Sequence, residues 1–508
     1  MNQNSRTKNS AINIIVSIAC QVSTLALSFL VRTIFINLLG ADYLGINGLF
    51  GNIFSFLSLS SLGISATITF ALYKPIARND IKKIQAYMKF FKFSYRIIAL
   101  IVFFLGCAFI PFLGYLVNVP NNIPHINLIY FLMLINTAST YLCVYKTTLM
   151  IADQRIFVTR IIATIGVVLA NILELLILVF THNFIGYLIM QLVSTWITNI
   201  ITSLVADKYY PFLRNNHEKL NKSEKKDILN GVKAIIIFTL AGFVLNSTDN
   251  MLISVLVSTT MVGYYSNYTL ITGAVVGFAN LILEAIKGSI GSLTASENIE
   301  NSKRNFKTLS LFNFWLYCLI SLSLLFLLND FIVIWIGPEY VLPNYTVLVI
   351  VLNIFVQGSM MIIQNYRDTT GLYKKTKFVH VFAAAINIVL SILFGFWFGI
   401  TGILVATCIA RLCTSVWYEP KVVFRDYFKE SVRGFITMEI KYLCVTIITG
   451  VILYFVLGFL PTGNILFFII KLVCCVTFIN LLLFIVFFKT SEFKDLLDKI
   501  KALLKRKT

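Results

Sequence analysis

Residues 30–59, "LVRTIFINLLGADYLGINGLFGNIFSFLSL", are apolar almost throughout, and two details in them decide how the whole chain is read. The apolar run is longer than the roughly 20 residues a helix needs to cross a bilayer, and Gly40 marks a boundary within it. Arg32 lies inside the run, where a full positive charge costs about 2.5–3.5 kcal/mol on insertion scales. The rest of the chain repeats the pattern. Of 508 residues, 58% are hydrophobic and 13% charged, against about a quarter charged in soluble proteins, and mean hydropathy is +0.85. Long apolar runs recur at 97–117, 161–180, 379–398 and 465–488. The spacing predicts an all-α polytopic membrane protein. The first run starts near Ala11 with no small-residue cleavage pattern, so it reads as a retained helix and not a signal peptide.

Helices are expected near 10–39, 43–73, 95–117, 126–150, 160–181, 184–206, 233–257, 263–290, 307–330, 344–366, 379–398, 400–417, 441–460 and 465–488. Fourteen crossings put both termini on one side. Of the 42 Lys and Arg, 39 fall in the termini and loops of that side, and none falls in the opposite loops. Only Arg32, Arg411 and Lys471 remain, all inside helices. A bias of this kind marks the basic side as cytoplasmic. The net charge of +20 is thus explained by topology and attraction to anionic lipid, and nucleic acid is not needed as a partner. Nine cysteines lie in or near helices, which argues against a disulfide framework. The histidines (His125, His182, His217, His380) are scattered, and no spacing suggests a metal site.

An internal repeat organises these helices. "LLGADYLGINGL" (38–49) aligns with "LVSTTMVGYYSN" (256–267) at an offset of 218, placing Gly45 over Gly263. "NILELLILVFTHNFIGYLI" (171–189) aligns with "NIVLSILFGFWFGITGILV" (387–405) at 216, placing Asn171 over Asn387 and Gly186 over Gly402. An offset spanning six crossings preserves orientation, and parallel repeats of that kind place a substrate site where the halves meet. The expected organisation is a six-helix bundle over 1–206, a cytoplasmic basic linker over 207–232 and a second bundle over 233–417. A cytoplasmic linker over 418–440, a helix pair over 441–488 and an amphipathic tail over 489–508 complete it. In the tail, Phe493, Leu496, Leu497, Ile500, Leu503 and Leu504 form one stripe opposite lysines, the pattern of a helix lying on a membrane surface.

Three segments resemble a known family. "RTIFINLLGADYLGINGLFGNIFSFLSLSSLGISATITFALYKPIARND" (32–80), "DNMLISVLVSTTMVGYYSNYTLI" (249–271) and "GLYKKTKFVHVFAAAINIVLSILFGFWFGITGILVATCIARL" (371–412) are similar to the Wzx-like polysaccharide-unit flippases. These belong to the multidrug/oligosaccharidyl-lipid/polysaccharide exporter (MOP) superfamily. The resemblance implies two pseudo-symmetric six-helix bundles in a MATE-like V, plus a C-terminal helix pair. It implies a non-enzymatic flippase in a bacterial cytoplasmic membrane that carries an undecaprenyl-pyrophosphate-linked oligosaccharide to the outer leaflet. Implied partners are that substrate, membrane lipids, and a polysaccharide polymerase with other assembly proteins. No cofactor is implied beyond a coupling ion, H+ or Na+.

The intramembrane charges are the candidate site. Arg32 lies eight residues before Gly40, about 12 Å below the outer end of its helix. It either reaches the outer headgroups or faces a hydrated cavity, where its guanidinium fork suits a diphosphate. The repeat sets Arg32 over Asn250, beside Asp249, at similar depth. Arg411 lies toward the cytoplasmic end of its helix, where cargo contact and reaching inward to headgroups stand level. Lys471, about seven residues below the outer end of the last helix, either lines a groove for the prenyl tail or reaches a headgroup. Asp249, Glu174 and Glu284 are candidate coupling or gating residues, with Glu284 and Lys287 also readable as a local i, i+3 pair. The rival readings are a multidrug or small-molecule exporter of the same superfamily and a lipid II or teichoic-acid flippase. A membrane glycosyltransferase or polymerase would need long loops presenting acids, and the longest outer loop here is 331–343.

Overall fold

A computed structural model describes residues 3–505 except 119–122, 154, 214–217, 227, 230–231, 233–247 and 296–298. Among the described residues there is no strand, and eleven helical stretches are long and apolar enough to cross a bilayer. Two of these, Ala19–Leu57 and Phe378–Phe428, are broken inside, at Gly40 (φ 83°) and Gly399 (φ 58°). Both glycines adopt the left-handed backbone that a side chain resists, so each apolar run becomes two segments there. Thirteen of the fourteen expected segments are thereby present. The remaining one, expected over 233–257, lies outside the described residues for 233–247.

The chain forms two units, residues 1–243 with 258–263, and 244–257 with 264–508. The first contains α1 (Gln3–Ala77), α2 (Ile81–Phe109), α3 (Ile126–Thr140), α4 (Val144–Ala152), α5 (Ile156–Thr181) and α6 (Phe184–Tyr209). Side chains start the helices where the chain reverses. Asp80 accepts from the Lys83 amide at the head of α2, and Asn183 accepts from the Ile185 amide at the head of α6. The 207–232 segment, expected as a linker, folds back onto α2 over its described part. Gln85 donates to the Phe212 carbonyl, Lys83 pairs with Glu224 at 2.8 Å, and Leu220 and Ile228 are buried.

Residues 258–263 reveal the repeat physically. A Cβ on Gly45 would collide with the Thr259 carbonyl oxygen, and one on Gly263 would collide with the Ala41 carbonyl oxygen. Thr260 donates to Asp42 at 2.5 Å. Each of these contacts joins or exchanges positions 218 apart, which is the offset of the sequence alignment. Ala at Gly45 would ordinarily favour a helix by about 1 kcal/mol. Here overpacking against rigid backbone costs about 1–3 kcal/mol and should win. Gly45→Ala is therefore expected to lower the unfolding midpoint in detergent. Gly51→Ala, at a site with nothing within 4 Å, should leave it level or raise it.

The second unit contains α7 (Asp249–Leu256), most of α8 (Thr259–Ala295), α9 (Ile299–Ile336), α10 (Asn344–Ser359) and α11 (Met361–Thr369). It continues with α12 (Tyr373–Cys413), α13 (Ser415–Val423), α14 (Arg433–Leu457), α15 (Ile465–Phe487) and α16 (Ser491–Lys505). The turn at 141–143 between α3 and α4 recurs at Met360 between α10 and α11, again at an offset near 218. The last helix pair packs on α9: Phe314 stacks on Tyr442 at 4.2 Å, and Trp315 donates to Asn480 at 2.8 Å. The tail is helical as expected, and its start packs on α9. Phe493 is buried and stacks on Trp315 at 5.7 Å, so α9 takes up the start of the apolar stripe. A hydrogen bond from Arg304 holds the Asp495 carboxyl below the usual carboxylate range and anchors the opposite face. Side chains of Ile500, Leu503 and Leu504 lie outside those described.

Candidate functional site: buried charge networks within each unit

In the first unit, three helices bring the expected residues together around a tyrosine. Arg32 on α1 is half-buried, and Glu174 on α5 is 3% exposed. Between them stands Tyr187 on α6, whose hydroxyl hydrogen-bonds Glu174 and lies in electrostatic range of Arg32. Local packing explains why Tyr187 points there. Phe35, one turn beyond Arg32, meets the Tyr187 ring edge-on at 5.4 Å, and Phe184 stacks on it at 5.7 Å. One turn before Glu174, the Asn171 amide nitrogen is buried without a hydrogen-bond partner. Arginine, tyrosine and carboxylate thus share one apolar setting, where each charge is felt more strongly than in water. Tyr187 is the link between the two charged groups, hydrogen-bonded to Glu174 and within reach of the Arg32 charge.

The second unit builds a counterpart on corresponding helices. Asp249 begins α7 and is 7% exposed; Thr407 on α12 donates to it at 3.2 Å. Asn387, also on α12, donates to Thr407 at 2.8 Å. Arg411, one turn beyond Thr407, is buried, donates to the Asn353 carbonyl at 3.3 Å and acts electrostatically on Asp249. Tyr265 on α8 feels both charges. Arg411 is thus placed against protein groups inside the helix bundle, whereas the sequence left an inward reach to headgroups equally open. The adjacent Asn250 is half-buried, with its Oδ1 lacking a partner. The two networks use equivalent helices without using equivalent positions, so each unit has one arginine near one acid in its own arrangement.

Two other readings change. Lys471 neither reaches a headgroup nor stands open to a groove. It is buried and bonds Asp330 on α9 at 2.6 Å, tying α15 to α9 within the second unit. Lys287 bonds Asp368 at 2.8 Å across 81 residues, and Glu284 is exposed, so the local i, i+3 arrangement gives way to a longer-range one.

Sequence reasoning missed several participants. Tyr187 was visible as the lone hydroxyl after Gly186 in an apolar segment. Asn136 and Asn353 fall 217 apart, and each has a buried Oδ1 without a partner, a signal that a search for paired polar residues would have found. The Arg367–Glu419–His380 network had no such signal. There Glu419 is fully buried, accepts from Arg367 and lies 2.8 Å from His380.

No protein-family model matches the chain, and no curated protein matches it. Among solved structures it is similar to the lipid II flippase MurJ in its inward closed conformation, with TM-score 0.67, 14% identity, and coverage of 93% of this chain and 99% of MurJ. It is also similar to an inward-facing multidrug resistance MATE family transporter of the MOP superfamily (TM-score 0.59, 14% identity, 79% and 97% covered). A third is the Vibrio cholerae MATE transporter VcmN (TM-score 0.57, 14% identity, 85% and 99% covered). This chain has the MurJ and MATE fold. It is an all-helical, multi-pass membrane protein. The similarity to MurJ runs through almost the whole chain, and within it the two buried networks lie on helices that the repeat pairs.

Proposed function

We propose that this chain is a flippase that carries an undecaprenyl-pyrophosphate-linked oligosaccharide unit to the outer leaflet of a bacterial cytoplasmic membrane for surface polysaccharide assembly. The observation that carries this reading is Arg32, set in an apolar run and held beside the Tyr187–Glu174 pair. A guanidinium in such a setting suits a doubly charged phosphate head better than a cationic drug. The main rival is a multidrug exporter, whose cation would be held by buried acids. Both acids here have an arginine in the same network, which disfavours a cation beside them. The fold shared with a lipid II flippase supports lipid cargo, and the three segments resembling Wzx-like flippases favour an oligosaccharide lipid. Glu174 and Asp249 are the groups through which H+ or Na+ would be coupled.

The test is reconstitution in liposomes with a fluorescent undecaprenyl-diphosphate oligosaccharide, reading its passage between leaflets from the rate at which an external quencher reaches it. Transfer well above that of protein-free liposomes is expected, with no export of a cationic dye. The reverse pattern would establish the drug exporter, and transfer of lipid II alone would move the assignment to that cargo. The orientation is tested separately. With both termini inside, cysteine at Lys222 should resist an impermeant thiol reagent in intact cells and react after permeabilisation. Strong labelling from outside would overturn the topology.

A further inference from the structure

A second concentration of charge lies within the first unit, away from the Arg32 network. A cavity of 570 Å³ opens between α2, α4, the end of α6 and the described residues Leu213, Glu218, Lys219, Leu220 and Lys225 of the segment that follows it. Its cations are Lys89, Lys92, Arg96, Lys146, Lys219 and Lys225, against the acids Asp207 and Glu218. Lys146 is committed to structure, bonding Asp207 at 2.7 Å and Ser203 at 2.6 Å, so that this pair offsets its own charge. Four positive charges remain in excess. They converge because Lys89, Lys92 and Arg96 follow helical spacing along α2, while the Lys83–Glu224 pair and the Gln85–Phe212 bond draw Lys219 and Lys225 over them. Like charges gathered in a concave site repel one another, and an anion relieves that repulsion.

The same helix supplies the second half of the argument. From the rim of the cavity, Phe93 (63% exposed), Ile97, Leu100, Ile101, Phe104 (65% exposed) and Leu105 form an outward apolar stripe. The last five line a shallow apolar hollow between their own side chains, so the stripe is a continuous apolar face on α2. From Phe93 to Leu105 it rises about 18 Å at 1.5 Å per residue, slightly over half of a hydrocarbon core about 30 Å thick. A phosphate in the cavity and an extended chain along α2 would therefore belong to one molecule. We propose that this cavity binds the phosphate headgroup of an anionic membrane lipid whose chain lies along α2. A soluble phosphate compound would use the cations and leave the adjoining apolar face unused. The proposal stands whether or not the transport reading holds, because it invokes neither Arg32 nor movement of cargo.

The test titrates phosphatidylglycerol into the full-length protein in neutral detergent and counts bound lipid by native mass spectrometry, with phosphatidylcholine as the comparison. One phosphatidylglycerol is expected to outlast the others and to exceed phosphatidylcholine in affinity. Neutralising Lys92, Arg96 and Lys219 together to Gln should weaken it roughly a hundredfold, at about fivefold per cation near a membrane surface. Neutralising Lys489, Lys494 and Lys501 in the tail should leave it bound. Phe93→Ser with Phe104→Ser should weaken phosphatidylglycerol several-fold, and inorganic pyrophosphate at equal concentration should fail to displace it. If the triple variant does not fold, Arg96→Gln alone is read, with about a fivefold loss expected. Retention by the charge variant, equal loss in the tail variant, or equal binding of inorganic pyrophosphate would each overturn the proposal. The last two would identify bulk electrostatics and a soluble-anion site respectively.

Discussion

Lys471→Ala is expected to destabilise the protein by about 3–5 kcal/mol, because it strands the Asp330 carboxylate where water does not reach. The two side chains are 7% and 10% exposed and lie 2.6 Å apart, on helices α15 and α9. Removing one partner of a buried pair leaves an uncompensated charge, whereas removing both leaves ordinary apolar packing. Lys471→Met combined with Asp330→Leu should therefore recover most of the loss, and the double-mutant cycle should show strong coupling. The measurement is the unfolding midpoint in a fixed detergent. Unchanged stability in Lys471→Ala, together with lost transport, would instead make Lys471 a cargo residue and sink the structural reading of the pair.

Arg32→Ala is expected to reduce transport on the order of a hundredfold while leaving protein abundance and stability close to normal. Hydrogen bonds to charged groups contribute about 1.5–3 kcal/mol each, and a guanidinium fork makes two to a phosphate. Arg32→Lys should recover part of the activity, since a point charge replaces the fork. Tyr187 and Glu174 give a second readout. Glu174→Gln keeps a partner for the Tyr187 hydroxyl and removes the titrating charge, so it should flatten the pH dependence of transport more than it lowers the maximum. Asp249→Asn should likewise alter coupling more than abundance. An arginine that only anchors headgroups predicts a different pattern, with Arg32→Ala well tolerated because an apolar side chain suits hydrocarbon better than a charge does. Near-normal transport by Arg32→Ala would falsify the diphosphate assignment.

Much of this molecule was legible without coordinates, for reasons that act residue by residue or turn by turn. The length of an apolar run decides whether a helix can cross, so the membrane class and nearly all helix positions followed from hydropathy. Gly40 and Gly399 were readable as boundaries because each interrupts a run too long for one crossing, and both adopt a positive φ. The repeat was readable because Gly45 and Gly263 recur in one frame. The contacts at Thr259 and Ala41 show why glycine is needed at both: another backbone passes where a Cβ would stand. Arg32, Asp249 and Glu174 were identifiable as candidates because a charge in hydrocarbon is costly wherever its partner lies.

The partners themselves are another matter. Lys471 and Asp330 are 141 residues apart, Thr407 and Asp249 are 158 apart, and Arg367 and Glu419 are 52 apart. No local pattern links them. The price of burying each ion is a property of its own segment and can be read from it, but the compensating contact depends on which helix faces which and at what height. That is why Lys471 read as lining a groove for the prenyl tail or reaching a headgroup, and is found as half of a buried pair. It is also why 207–232 read as a linker: its charges and turn residues are real, but its attachment to α2 rests on Gln85 meeting the Phe212 carbonyl and on the burial of Leu220 and Ile228. The sequence by itself determined which segments are long and apolar enough to cross a bilayer and which costly charges lie among them. Only the tertiary structure decided which charges those costs would bring together, because electrostatic compensation acts through space over a few ångströms and takes no account of distance along the chain.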